Sequence, residues 1–173
     1  MRQHLIEVLR SDWRCLEHVH KQTDDLCITA VQENGLSLRY VLNKTETICR
    51  LAVRQNGLAL AFVPVQTFDL CRVACEQNCN AFAFVKPEFQ DEELCLSVVR
   101  KNGLMLQFVA IQTFSICETA VVAQAEALQY VKKQTPYLGL VAILQNCLLF
   151  SMVHEEMKEA VLDGLTKYLD KAR

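Results

Sequence analysis

The chain has 173 residues, of which 51% are apolar and 22% charged, enough for one domain with a sizeable core and too apolar for a disordered polypeptide. A formal net charge of −2 argues against general binding to phosphate backbones, which needs a concentrated basic face. No apolar run approaches the roughly 18 residues of a membrane-spanning helix, and the charged opening MRQHLIEVLRSDW does not read as a secretory signal.

In chain order, residues 1–22 hold Leu5, Val8, Leu9, Leu16 and Val19, each 22 positions before Cys27, Ala30, Val31, Leu38 and Val41. That offset predicts a worn N-terminal copy of a repeat, since a terminal copy has one face in solvent. The full repeat opens at residue 23. LCITAVQENGLSLRYV (Leu26 to Val41) returns as ICRLAVRQNGLALAFV from Ile48, LCRVACEQNCNAFAFV from Leu70 and LCLSVVRKNGLMLQFV from Leu94. Two looser copies, ICETAVVAQAEALQYV from Ile116 and LGLVAILQNCLLFSMV from Leu138, carry it to Val153. The step is 22 residues, except for 24 between the third and fourth copies, where KPEFQDEE with its Pro87 predicts a longer loop. Residues 154–173 then space Met157, Val161, Leu165 and Tyr168 along one side of a closing helix. That helix is predicted to cap the unusual apolar residues Val122, Leu140 and Leu144.

Aligned copies give columns. Leu26, Ile48, Leu70, Leu94, Ile116 and Leu138 head the first, and Cys27, Cys49, Cys71, Cys95, Cys117 and Gly139 the next. A small column (Ala30, Ala52, Ala74, Val98, Ala120, Ala142) and a β-branched one (Val31, Val53, Val99, Val121) fall four and five residues later, which predicts one face of an α-helix. Thr23, Thr45, Thr67, Asp91, Thr113 and Thr135 stand where an N-cap is needed. Asn34-Gly35, Asn56-Gly57 and Asn102-Gly103 predict an exit through a left-handed residue. The second half, with Leu36, Leu38, Tyr40 and Val41 in the first full copy, predicts a two-turn helix in preference to a strand. The predicted fold is therefore all-α. It is a right-handed stack, or solenoid, of about six to seven helix–turn–helix repeats in one domain: six over residues 23–153, a degenerate copy over 1–22 before them, and a capping helix over 154–173 after.

The phrase C-x-x-A-V-x-x-N-G-L-x-L-x-[YF]-V, fullest in Cys27–Val41, Cys49–Val63 and Cys95–Val109, resembles the repeat catalogued as domain of unknown function 4116. Such repeats occur in Legionella-like intracellular bacteria and some protists, often in exported effectors or their companions. The resemblance implies a helical repeat and offers no catalytic residues. Cys79 and Cys147 in place of Gly, and Gln124-Ala125 in place of Asn-Gly, depart from it and question the turn in three copies.

Little in the chain points to catalysis. Five of the nine cysteines form a repeat column, which reads as small buried residues in a reducing, cytoplasmic setting rather than as disulfides. Cys71, Cys75 and Cys79 lie four apart, but without C-x-x-C spacing or a nearby His, Cys71 and Cys75 read as core and Cys79 as a turn residue rather than as metal ligands. A Cys15–His18 or Cys15–His20 pair is conceivable as a nucleophile and base, yet it has no orienting group. No cofactor or metal is expected, and the chain is read as a non-enzymatic scaffold for protein–protein interaction. Its partner would be a host protein or a sister effector, with no nucleic acid or membrane involved. The residues singled out for contact are Arg50, Arg54, Arg72 and Arg100, as a basic ridge, and Trp13 as an apolar anchor, since Arg and Trp are enriched at interfaces. A thiol-dependent enzyme and a base-reading helical repeat are the alternatives. The second is opposed by the charge and by an aromatic column (Tyr40, Phe62, Phe84, Phe108, Tyr130) predicted to be buried.

Overall fold

The structure, a computed structural model, describes residues 2–171, with side chains from residue 4. Met1, Ala172 and Arg173, which the sequence assigns to the terminal copy and the closing helix, lie outside the described residues. Every described element is helical. The α-helices are α1 (Arg2–Ser11), α2 (Asp24–Glu33), α3 (Glu46–Gln55), α4 (Phe68–Gln77), α5 (Glu92–Lys101), α6 (Phe114–Ala123), α7 (Pro136–Gln145) and α8 (Lys158–Lys171). After each of the first seven comes a six-residue 3-10 helix, such as Trp13–His18, Gly35–Tyr40 and Gly57–Phe62. The chain divides into two compact units, Met1–Phe89 and Gln90–Arg173, parted within the two-residue insertion. The predicted loop there contains a short 3-10 turn, Pro87–Phe89, whose Phe89 ring meets Phe68 edge-on at 5.2 Å.

The α-helices begin where the sequence places caps. Thr45, Thr67, Asp91, Thr113 and Thr135 each accept from the backbone N–H three residues on, and Pro136 takes a position whose N–H has no helical partner. Thr23 starts α2 without such a bond. The predicted face is the buried one in every copy: Leu26, Cys27, Ala30 and Val31 in α2, and their equivalents through Leu138, Gly139, Ala142 and Ile143 in α7. The alanines at the centre of this face leave room for neighbouring helices to approach. In the first unit α1 packs on α2, α2 on α3 and α3 on α4, with the 3-10 helices stacked alongside; in the second, α5, α6, α7 and α8 follow the same order. Each buried Leu or Ile contributes about 1.5–3 kcal/mol by leaving water.

The second half of the repeat is a helix, as predicted, but wound at three residues per turn. Residues three apart therefore eclipse, so Gly35, Leu38 and Val41 share the buried side while Leu36 and Tyr40 are only half-buried. This corrects the expected aromatic column: Tyr40, Phe62 and Tyr130 are half-buried, and Phe84 and Phe108 are exposed.

The Asn-Gly exits also differ from expectation. No described residue has a positive φ, and Asn34 is extended at φ −150, ψ 115. Its side chain caps the following 3-10 helix, Oδ1 accepting from Leu36 N at 2.9 Å, and Asn56, Asn78, Asn102 and Asn146 do the same. Glycine is needed for space instead. A Cβ on Gly35 would lie 2.2 Å from the Ala52 carbonyl oxygen, and one on Gly57 2.3 Å from that of Ala74. The three departing copies keep the same backbone at Asn78, Gln124 and Asn146, although Gln124 gives no side-chain cap.

The closing helix covers only part of the predicted surface. Val161 of α8 is fully buried, and its methyl would sit 2.8 Å from a Cβ on Gly139; Gly164 faces Leu140. Val122 and Leu144, however, remain 56% and 42% exposed. Tyr168, predicted on the covering side, is exposed as well.

Candidate functional site

A column of glutamines that the repeat phrase does not include ties down the loop that closes each of five copies. At the entry to α2, α4, α5, α6 and α7 stand Gln22, Gln66, Gln90, Gln112 and Gln134. Each carboxamide donates to the carbonyl that ends its own copy's 3-10 helix: Tyr40 at 2.9 Å, Phe84 at 2.8 Å, Phe108 at 3.1 Å, Tyr130 at 2.9 Å and Met152 at 3.0 Å. Each also accepts from the loop N–H two residues later: Leu42, Lys86, Ala110, Lys132 and His154, at 2.9 to 3.1 Å. Gln22, Gln112 and Gln134 reach back as well, to the carbonyls of Leu16, Leu106 and Leu128 in the preceding copy. Loop groups that would otherwise need water are thus paired by one side chain.

The cysteine column belongs to the same network. Cys27, Cys71 and Cys117 direct their thiols at Gln22, Gln66 and Gln112, with Sγ to Oε1 distances of 3.6, 3.6 and 3.7 Å. Burial pushes the Cys27, Cys49 and Cys117 thiols above their ordinary range, and Cys71 and Cys95 to about 11. The protonated thiol keeps its S–H donor, which is the reverse of what a nucleophile requires. Among the described residues no group of three His, Cys, Asp or Glu is disposed to hold a metal. Cys15 is half-buried, and neither His18 nor His20 hydrogen-bonds to it among the described residues.

A second set of glutamines ties the helix ends together. Gln55 Oε1 accepts from Gly35 N and Gln77 Oε1 from Gly57 N, both at 2.6 Å, while Gln55 Nε2 reaches Glu33 O at 3.1 Å.

The residues proposed for contact separate on inspection. The two outward columns are not alike. Ile28, Arg50, Leu96, Glu118 and Leu140 are half-buried, whereas Gln32, Arg54, Glu76, Arg100, Val122 and Leu144, one turn on, are exposed. Arg50 therefore faces the next helix: its guanidinium meets Asp69 of α4 at 2.5 Å and Glu46 at 3.4 Å. The hydrogen bond to Asp69 raises its already high pKa. Tyr137 repeats this relation in the second unit, donating to Glu118 at 2.8 Å, which raises the phenol's pKa. Arg54 is exposed and forms no ion pair among the described residues, and Arg72 is exposed on α4. Arg100 belongs to the second unit, where it lines a shallow depression of about 400 Å³ with Glu118, Thr119, Val122 and Ala123.

Trp13 is not a lone anchor. Its half-buried ring lies 6.2 Å from Tyr40, with the Arg14 guanidinium 5.0 Å above it. Arg39 in turn lies over Tyr40 at 5.0 Å and Phe62 at 6.0 Å. Trp13, Tyr40 and Phe62 thus form a strip of alternating rings and guanidiniums along the 3-10 helices of the first unit.

One copy breaks the glutamine column. Residue 44 is Lys, and residue 64, where the loop N–H should be, is Pro. Lys44 turns its ammonium to the Val41 carbonyl at 2.7 Å. A cleft of about 260 Å³ opens beside it, walled by Glu46, Cys49, Arg50, Pro64, Val65, Thr67 and Leu70. Gln22-Thr23, Gln66-Thr67, Gln90-Asp91, Gln112-Thr113 and Gln134-Thr135 were the signal for this column, legible as doublets but masked by the more obvious caps.

No family model, no curated protein and no solved structure matches this chain. No described helix is long and apolar enough to cross a membrane.

Proposed function

We propose that this chain is a non-enzymatic scaffold of the solenoid type that binds another protein. The observation that carries this reading is the ring-and-guanidinium strip of Trp13, Arg14, Arg39, Tyr40 and Phe62. Half-exposed Trp, Tyr and Arg are the residues from which interface hot spots are built, because rigid rings and planar cations bury much area at little entropic cost. Arg54, exposed on α3 without an ion pair among the described residues, is a further contact available to acidic groups. The thiols, held protonated in the interior, support a structural rather than a catalytic part for cysteine. With the habit of the repeat family it resembles, the partner is a host protein or a sister effector, met in the cytoplasm of the producing cell or, after export, of a host.

Capture of a partner by the full chain, followed by titration of variants, tests this. Arg54→Glu is expected to weaken binding about tenfold, as rim charges at interfaces do when reversed, with little change in the melting temperature. Unchanged affinity removes this arginine from the contact surface. Arg50 is unsuitable for this test, since reversing it breaks its bridge to Asp69.

A further inference from the structure

We propose that the cleft beside Lys44 is a carboxylate-binding site. Its occupant, if the scaffold reading above holds, is the side chain of an Asp or Glu on the bound protein. Five copies fill this place with a glutamine carboxamide and close it with a loop N–H. In the remaining full copy both halves of that hydrogen bond are gone, the amide through Lys44 and the donor through Pro64. The two changes belong together, for either alone would strand the other group. What they leave is an open cleft of about 260 Å³, enough for a short side chain.

The polarity of the cleft selects the ligand. Lys44 spends one of its three N–H groups on the Val41 carbonyl and has no ion pair among the described residues. Thr67 Oγ1 accepts from Leu70 N at 3.3 Å, so its hydroxyl hydrogen is available to donate. The acids are engaged: Glu46, which lines the cleft, and Asp69 both hold Arg50. The Lys44 ammonium, without an ion pair of its own among the described residues, and the Thr67 hydroxyl therefore face a wall of Pro64, Val65 and Leu70. A carboxylate on a short aliphatic stem satisfies all three features. A phosphate would place most of its oxygens against that apolar wall with a single free cation to meet them.

The test uses the full chain, isotopically labelled, titrated by NMR with butyrate, inorganic phosphate, the blocked peptide acetyl-Ala-Glu-Leu-Ala-amide and its Gln counterpart. Saturable shifts at Cys49, Val65 and Thr67 are expected with butyrate and the Glu peptide, and none with phosphate or the Gln peptide. Lys44→Met keeps the fold, because the lysine bonds only Val41, and should weaken both ligands about tenfold, the loss of one charge-assisted hydrogen bond. The double variant Lys44→Gln with Pro64→Ala restores amide and N–H together. It should fill the cleft, melt higher than the parent and lose binding. No saturable shift, equal binding by Lys44→Met, or phosphate binding in preference to butyrate overturns the site. Butyrate binding without the Glu peptide overturns the acidic side chain as occupant. Failure of the full chain to capture any partner protein, with the Glu peptide still bound, strikes the scaffold reading alone.

Discussion

Replacing Gln134 by Leu is expected to destabilise the protein by about 3 kcal/mol, since it strands buried polar groups at roughly 1 kcal/mol or more each. Gln134 is 6% exposed and pairs the carbonyls of Leu128 and Met152 and the N–H of His154. Leucine is close in size and fills the space, so the loss reports the hydrogen bonds rather than a cavity. Urea unfolding followed by circular dichroism measures it. The internal comparison is Lys44→Met, where the column is already broken and the same measurement should show a change under about 0.5 kcal/mol, as for an ordinary surface substitution. Equal losses at the two positions would mean that the column adds nothing specific.

Gly35→Ala is expected to cost about 3 kcal/mol, the upper range for overpacking at a rigid contact. The new methyl would meet the Ala52 carbonyl oxygen at 2.2 Å, and that oxygen is backbone in the neighbouring helix, with no rotamer to change. Gly164→Ala provides the contrast. Its methyl would find only the flexible end of Leu140 at 3.3 Å, and alanine is the better helix former by about 1 kcal/mol. That variant should be neutral or more stable in the same urea experiment. A harmless Gly35→Ala would show that neighbouring copies are not in fact this close.

These two positions also mark where sequence reading succeeds and where it stops. The α-helices were legible because period and caps agree: Leu26, Cys27, Ala30 and Val31 recur on one face, and Thr or Asp opens each copy. The Asn-Gly pairs were seen but assigned the wrong cause. A left-handed exit and a crowded contact both select glycine, and only the position of Ala52 in the next copy distinguishes them. The 3-10 winding was hidden because six residues are too few to separate a period of 3.0 from 3.6, and with it went the half-buried placement of Tyr40 and Phe62. Arg50 looked like Arg54 in a column of charges. Its partner Asp69 lies 19 residues on, at a spacing no local pattern reveals. Trp13 is legible as an interface-prone anchor, whereas its pairing with Tyr40 depends on how the 3-10 helices stack.

The claim on which the rest depends is that glutamine side chains clamp the loop of each copy, save one. Hydrogen exchange of individual amides tests it most directly. Loop N–H groups exchange freely unless something accepts from them. The amides of Leu42, Lys86, Ala110, Lys132 and His154, each bonded to a glutamine oxygen, should exchange about a hundredfold more slowly than unprotected loop amides, the factor that roughly 3 kcal/mol of protection gives. Exchange of these five at free-loop rates would contradict the account.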